Sequence, residues 1–552
     1  MLANYISLTA LFYAGVRLGL ALLTLLVLWR LHRRPRPEPA LLLIVATHLL
    51  AAAASLAPLQ RPYALNESSD RSFNLGMAAR VALGGSPLEH TQVGFASPEP
   101  LLNLVVAALA LFDVERVAAA TAALTPLALL LVALGVYRGL AAPADAGDRA
   151  ADAWERVLLV FAVLSLSSLS MNPRPPTPPF WAGNFLLKPN HGAALGLVAL
   201  AAGLLARQRP RPLLLGLLLG ATAWVFLLDW AYALPGLALG AWLMPRAQRP
   251  LRALAVAALV SALIALPYVA HLLPDYSPGG RHGAARHMWG DPRGLPLAVP
   301  NWSTLDLGPL FVLALLGGLV LWRRRAPRDC VLLGLLLATG ALVALSIPAA
   351  LVGIAPEPDE LHYFLRFCCA LAAGAALAAG ARELERTRGW PLGQGHVLLL
   401  ALFVPLSFPV SWDPPSMDRY FVLSRQRLRP KVEAYARFIR EATPRDAIFV
   451  AGRQAASWIP ALTGRRVVLA EGGQLLPRDK DERKAVERTL LLSDDPGKIR
   501  GAALRYGVTH LAIDDALVQE YGVAGFEELA RAKVFKTVFV NSAARIVALE
   551  LQ

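Results

Sequence analysis

The chain has 552 residues, 56% hydrophobic and only 17% charged, with a formal net charge of +15. A soluble domain carries about 25% charged residues. The deficit falls almost wholly before residue 411, so a single globular core is excluded. The positive excess sits in short loops between apolar runs, with no aromatic–basic interleaving, and nucleic acid is not expected as a partner.

In chain order, apolar runs fall near 6–29, 39–58, 98–137, 156–171, 191–206, 212–230, 232–245, 250–270, 307–322, 329–349, 363–381 and 396–411. Most are about 17–23 residues long, enough to cross a hydrocarbon core of about 30 Å. The first lacks a basic leader and a small-residue cleavage site, and reads as a retained span. Arginines cluster at Arg30, Arg33, Arg34 and Arg36; at Arg207, Arg209 and Arg211; at Arg246 and Arg249; and at Arg323, Arg324, Arg325 and Arg328. Short loops rich in arginine stay cytoplasmic. That places 59–97, 172–190, 271–306, 350–362 and everything after about 411 outside. The run 98–137 is ambiguous: two crossings break the parity of the later loops, whereas one crossing plus a re-entrant or interfacial helix restores it.

Beyond residue 430 the pattern shortens. An amphipathic helix at 431–442 precedes a strand at Ile448-Phe449-Val450, a helix at 455–462 and a strand at Val467-Val468-Leu469. A helical stretch at 479–506, broken at Asp494-Asp495-Pro496-Gly497, leads to a strand at Thr509–Ile513, helices near 514–531 and two strands within 535–550. Strands alternating with helices imply an α/β sheet. The expected architecture is an all-α polytopic membrane bundle over 1–411, a linker at 412–430 and a small extracytoplasmic α/β domain at 431–552. Cys330, Cys368 and Cys369 show neither a disulfide framework nor metal-ligand spacing.

Three segments carry candidate chemistry. The first outer loop holds Glu67 and Asp70, two carboxylates three residues apart just beyond a span, where one could serve as general base on an acceptor hydroxyl. Asp70 equally suits a helix N-cap. The second segment ends in Lys188-Pro189-Asn190-His191 at the mouth of a span, where an amine and an imidazole could bind phosphate. Simple snorkelling of Lys188 to the interface explains the amine as well. The third, Pro358-Asp359-Glu360-Leu361-His362-Tyr363-Phe364-Leu365-Arg366-Phe367, sets Arg366 about one turn inside a span. A guanidinium there needs an anionic partner, either a lipid-linked phosphate or Asp359 or Glu360. Asp229, near the outer end of its run, positions the acceptor or pairs with an arginine such as Arg366. Arg17 and His48, in the first two runs, read as structurally partnered.

The first loop resembles the GT-C superfamily, polytopic glycosyltransferases that use polyprenyl-phosphate sugars. Asp70 matches the catalytic acidic position, Gly84-Gly85-Ser86-Pro87-Leu88 the "G-x-P-Y" turn, and Pro98-Glu99-Pro100-Leu101 the "Y-x-x-P-P-L" lead-in. Leu88 replaces the usual aromatic, and no second acid follows Asp70. The motif resemblance covers roughly 55–140. His362 with Arg366-Phe367 is similar to a late element of the same superfamily, and Trp458–Arg465 is similar to a recurrent segment of its C-terminal domains.

The resemblance implies an inverting transfer at a bacterial-type inner (plasma) membrane, from a polyprenyl-phosphate sugar to a periplasmic or cell-surface glycan, lipid or protein. Asp70 would be the base, Glu67 its helper or the holder of a divalent metal. Lys188, His191, His362 and Arg366 would hold the donor phosphate, with Asp229 in support. No cofactor is certain. The C-terminal domain is expected to be a lid or acceptor-binding module. A transporter or flippase of a lipid-linked or amphiphilic solute is the rival reading, and a non-catalytic membrane scaffold the third. Transporters concentrate polar residues in broken helices at mid-membrane, whereas here they lie in outer loops.

Overall fold

The computed structural model describes residues 2–56, 69–97, 99–141, 149–166, 189–207, 209–276, 307–351, 358–407, 430–470, 479–522, 534–541 and 544–549. These residues are mostly helical, with one small sheet. The helices begin with α1 (Leu2–Arg33), α2 (Pro37–Leu56), α3 (Ser69–Ala82), α4 (Pro100–Leu109), α5 (Val117–Leu134), α6 (Arg149–Ser165) and α7 (Pro189–Leu205). They continue with α8 (Pro212–Val225), α9 (Leu227–Leu243), α10 (Leu251–Tyr276), α11 (Pro309–Arg324), α12 (Pro327–Leu351), α13 (Pro358–Arg388) and α14 (Gln394–Ser407). The C-terminal part runs α15 (Pro430–Ala442), β1 (Ile448–Ala451), α16 (Arg453–Thr463), β2 (Arg466–Val467), α17 (Lys480–Leu492) and α18 (Pro496–Tyr506). It ends with β3 (His510–Asp514), α19 (Asp515–Glu520), β4 (Phe535–Val540) and β5 (Ala544–Leu549). The chain divides into two compact units.

The helical unit takes in Met1–Ala57, Leu124–Pro267 and Trp289–Tyr420. Across the described residues of the chain, Leu251–Asp275, Pro327–Leu345 and Leu361–Arg388 are each long and apolar enough to cross a membrane. A fourth such element forms if Val114–Thr121 and Pro126–Gly139, bent by 45°, act as one. Others are shorter. The run expected at 212–230 divides earlier, at Phe226, whose extended backbone (φ −156°, ψ 108°) separates α8 from α9. Glycines let these helices approach closely. A side chain on Gly334 of α12 would collide with the backbone of Gly240 on α9, and one on Gly317 of α11 with that of Ala372 on α13. Small residues at crossings are how apolar helices gain dispersion contact where no hydrophobic force drives them together.

A buried ionic cluster joins the ends of α6, α11, α12 and α13. Glu155 accepts from Arg324 at 2.9 Å, from Arg328 at 2.7 Å and from Arg382. Asp152 pairs with Arg328 at 2.8 Å and with Arg156 at 2.9 Å. Arg156 also donates to the carbonyl of Tyr137, and Arg328 to that of Leu140. Leu140, Asp152 and Glu155 therefore meet Arg324 and Arg328 of the arginine-rich turn. His48 is held by Ile44 and Ser165, as a structural histidine should be.

The second unit takes in Pro58–Ala123, Tyr268–Met288 and Phe421–Gln552. Its sheet has the order β2-β1-β3-β5-β4, parallel among β2, β1 and β3 and antiparallel where β5 joins β3 and β4. Alternation along β1 splits the core in two. Phe449 and Ala451 join Tyr435, Ile439 and Ile459, while Ile448 and Val450 join Leu490, Ile499 and Leu511. The C-terminal elements match the sequence reading, except that β2 is two residues long and the expected helices beyond 522 lie outside the described residues.

Nothing in the sequence pattern marks the first outer segment as part of this unit. Thr91 and Val93 exchange backbone hydrogen bonds with Val467 at 3.0 Å each, forming a single parallel bridge from Gln92 to the edge strand β2. Arg483 of α17 donates to the carbonyls of Val93 and Val468 and lies over the rings of Phe95 and Tyr506. Asp275 accepts from the Ala96 amide at 2.7 Å, and Glu115 pairs with Arg440 of α15 at 3.0 Å.

Candidate active site

Two groups of residues were singled out by sequence, and the structure treats them differently. In the helical unit, three helix starts converge. Pro189 opens α7 and puts His191 in its first turn; the extended Phe226 opens α9 and puts Asp229 in its first turn; His362 and Arg366 stand one turn apart on α13. Proline at the first helical position costs no hydrogen bond, and a carboxylate in the first turn faces the positive end of the helix dipole. Each of these starts follows a segment, or lies at a junction, that the arginine pattern places outside.

His191 directs Nδ1 at Asp229 Oδ2, 3.1 Å away, with both side chains buried. The imidazole packs on Phe226, with ring centroids 4.1 Å apart, and meets the edge of Tyr363 at 5.3 Å. Next to Tyr363, His362 accepts at Nε2 from Arg366 Nε, 2.9 Å away, and so carries its own proton on Nδ1. Arg366 is 3% exposed. The structure thus pairs His191 with Asp229 and His362 with Arg366, and Tyr363 of α13 joins the first pair to the helix that carries the second. It pairs Asp229 with His191, where the sequence suggested acceptor positioning or an arginine partner such as Arg366. Tyr363 and Phe226, which wall the His191 ring, were not anticipated as site residues. Their signal was available, since Tyr363 adjoins His362 and Phe226 lies three residues before Asp229. A histidine–aspartate pair and a histidine–arginine pair, linked through the Tyr363 ring, suit a negatively charged group attached to something apolar.

Asp70 lies in the second unit, in the first turn of α3 rather than ahead of it, so the backbone does not put it at the N-cap. The Asp70 side chain, and Glu67 and Lys188 as whole residues, lie outside the described residues, as do the side chains of Asp359 and Glu360. Helix α3 ends at the "G-x-P" turn. Gly84 takes φ +87°, and the Gly84 and Gly85 amides cap the carbonyls of Val81 and Arg80 at 2.9 and 3.0 Å. A left-handed glycine after the last turn is the ordinary way to stop a helix, which gives this motif a local structural job. Among the described residues no group of three or more His, Cys, Asp or Glu side chains is placed to hold a metal ion.

In the α/β part the titrating groups serve the fold. His510, on the central strand β3, stacks on Phe449 at 5.0 Å, and burial pushes its pKa down to about 4. Burial raises the carboxyls of Glu487 and Asp514. Glu487 is bonded to Lys484 and Tyr521, and Asp514 caps α19 at the Leu517 amide.

No family model and no curated protein matches this chain. Among solved structures it is similar to the Archaeoglobus fulgidus oligosaccharyltransferase tethered to an acceptor peptide containing the NVT sequon, with 14% identity, TM-score 0.46, and 85% of this chain and 69% of that one covered. It is also similar to the same organism's archaeal oligosaccharyltransferase AglB in complex with an inhibitory peptide and a dolichol-phosphate, with 13% identity, TM-score 0.43, and 85% and 69% covered. For the complex with zinc and sulfate the values are 14% identity, TM-score 0.49, and 89% and 71% covered.

Proposed function

We propose that the chain is a polytopic membrane glycosyltransferase that moves a sugar from a polyprenyl phosphate to an acceptor at the outer face of the membrane. The observation that carries this reading is the convergence of α7, α9 and α13. Three points that charge counting assigns independently to one side of the membrane meet there, and they meet with a buried arginine, two histidines and an aspartate. A buried guanidinium in an apolar bundle is costly and marks a ligand or a relay.

The same reading resolves the ambiguous run. Helix α4 has 10 residues. At 1.5 Å per residue it spans about 15 Å, half of a hydrocarbon core. Glu115 pairs with Arg440, in the part assigned outside, and Leu140 bonds Arg328, in the turn assigned inside. One crossing between them, with α4 interfacial, restores parity.

Chemically, the acceptor oxygen attacks the anomeric carbon from the face opposite the phosphate. The bond from that carbon to the phosphate oxygen breaks, the acceptor proton passes to Asp70, and polyprenyl phosphate leaves. Arg366 and His191 stabilise the charge that grows on the leaving oxygen, with Asp229 orienting His191. His362 holds Arg366, Lys188 adds charge, Glu67 assists Asp70, and no step is routed through a metal. Configuration inverts in one displacement.

Mass spectrometry of lipid that copurifies with the protein should find a polyprenyl phosphate or its glycosyl ester. In nanodiscs, sugar release from an undecaprenyl-phosphate hexose, with water as acceptor, should fall about 10²–10⁴-fold in Asp70→Asn. Near-normal turnover by that variant would remove Asp70 from the mechanism. A transporter would instead move the donor across the bilayer without cleaving it.

A further inference from the structure

Helix α3 does not merely neighbour the α/β fold; it is seated on it. At Gly76 an added Cβ would lie 2.7 Å from Thr91 Cγ2 and 2.8 Å from Pro460 Cβ. One helical repeat along, α3 meets the end of α16. Gly464, at φ +66°, would put a Cβ 2.7 Å from Leu83 Cδ1 and 2.9 Å from the Ala79 carbonyl. Two glycines, one on each partner, thus bring the backbones of α3 and α16 together, and neither position accepts even a methyl group without displacing a neighbour. The seat is locked at its edge by Thr91 and Val93 on Val467, and by Arg483 on the Val93 carbonyl. At the far end Arg445 donates to the Leu83 carbonyl at 3.4 Å. Along α3, Leu75, Met77, Ala78 and Ala79 are each 2% exposed or less.

We infer that the C-terminal α/β fold is a positioning device for α3, the helix whose first turn carries Asp70, and that Gly76, Gly464 and Pro460 are positioning residues for the transfer. This rests on the reading of Asp70 as the base. On this reading the reach of Asp70 toward an acceptor is set by how α3 lies on α16. A displacement of about 1 Å at a reacting group costs on the order of 10²-fold in rate.

The test compares full-length Gly76→Val, Gly76→Ala, Gly501→Ala and Asp70→Asn in nanodiscs turning over undecaprenyl-phosphate hexose. Gly501, on α18 in the same unit, has open space where its Cβ would go, and serves as the control. Gly76→Val should lower kcat about 10- to 100-fold with the donor KM unchanged. Hydrogen exchange should speed up in α3 while β1 and β3 stay protected, and Gly501→Ala should match the parent throughout. If Gly76→Val does not accumulate, Gly76→Ala decides, with a smaller fall in kcat of the same kind. A parental kcat in the Gly76 variants, beside a dead Asp70→Asn, overturns the positioning role and leaves the base intact. Loss of protection in β1 and β3 along with activity overturns it too, since that is general unfolding. A normal rate in Asp70→Asn overturns the base reading, and the positioning role with it.

Discussion

Two buried arginines, one in each unit, are held in opposite ways. In the helical unit Arg328 sits among Asp152, Glu155 and Asp329, and its only carbonyl contact among the bonds described above is Leu140, where the helix has ended. In the α/β unit Arg465, 2% exposed, spreads its donors over the carbonyls of Ile439, Arg440, Thr443 and Thr463 and the Thr443 hydroxyl. The difference follows from the backbone. Inside a long apolar helix every carbonyl is already bonded, so a buried cation must be matched by a carboxylate. An α/β unit built of short helices leaves carbonyls open at each helix end, and one guanidinium can satisfy several of them.

Breaking the first kind should cost most. Glu155→Gln keeps the shape but leaves Arg324, Arg328 and Arg382 around a neutral amide, and stability should fall by about 3–5 kcal/mol. A large drop in melting temperature would register this; a drop below 1 °C would show that the cluster is not a stabilising pair network. Breaking the second kind should cost less. Arg465→Met removes the donors and leaves helix-end carbonyls under-bonded, a loss of about 1–3 kcal/mol. It should appear as local hydrogen exchange at the end of α15, with the helical unit unaffected.

Arg366 is a third case, held by an imidazole of its own helix, and it sharpens the comparison. If a lipid phosphate is its partner in turnover, Arg366→Lys keeps the charge but loses the planar fork, and binding of farnesyl phosphate should weaken about tenfold. Unchanged farnesyl phosphate binding with a lowered melting temperature would return Arg366 to a structural role beside Asp359 or Glu360.

The smallest effect concerns His510. Its folded pKa is about 4 against an ordinary value of 6.5. Above pH 6.5 it is neutral in both states and contributes nothing to the pH dependence. As pH falls from 6.5 toward 4 the unfolded chain takes up a proton that the folded one refuses, so stability declines. Glu487 and Asp514, with raised folded pKa values, act in the opposite sense and gain stability as pH falls. The difference between the parent and His510→Gln isolates the histidine: its stability gap should change between pH 6.5 and 4 and be flat above. A gap independent of pH throughout that window would mean that the ring is protonated in the fold.

By itself the sequence determined what depends on local pattern and on side-chain type. The run lengths, the arginine clusters and the strand–helix alternation after 430 follow from burial and charge; the α/β order matches, and among the described residues three helices, or four if the bent pair acts as one, are long and apolar enough to cross a membrane. His191, Asp229, His362 and Arg366 stand out in the sequence because ionisable residues at the ends of apolar runs are expensive wherever they point. Tertiary structure alone decided which of them meet. The Asp229–His191 pair spans 38 residues, and nothing in either segment names the other. Phe226 as a helix break was illegible too, because an apolar residue in an apolar run carries no turn signal. The seating of α3 on α16 depends on Gly76 and Gly464, residues nearly 400 positions apart that act only by being small. A missing side chain reveals its purpose when its neighbour is known, and that neighbour is a product of the fold.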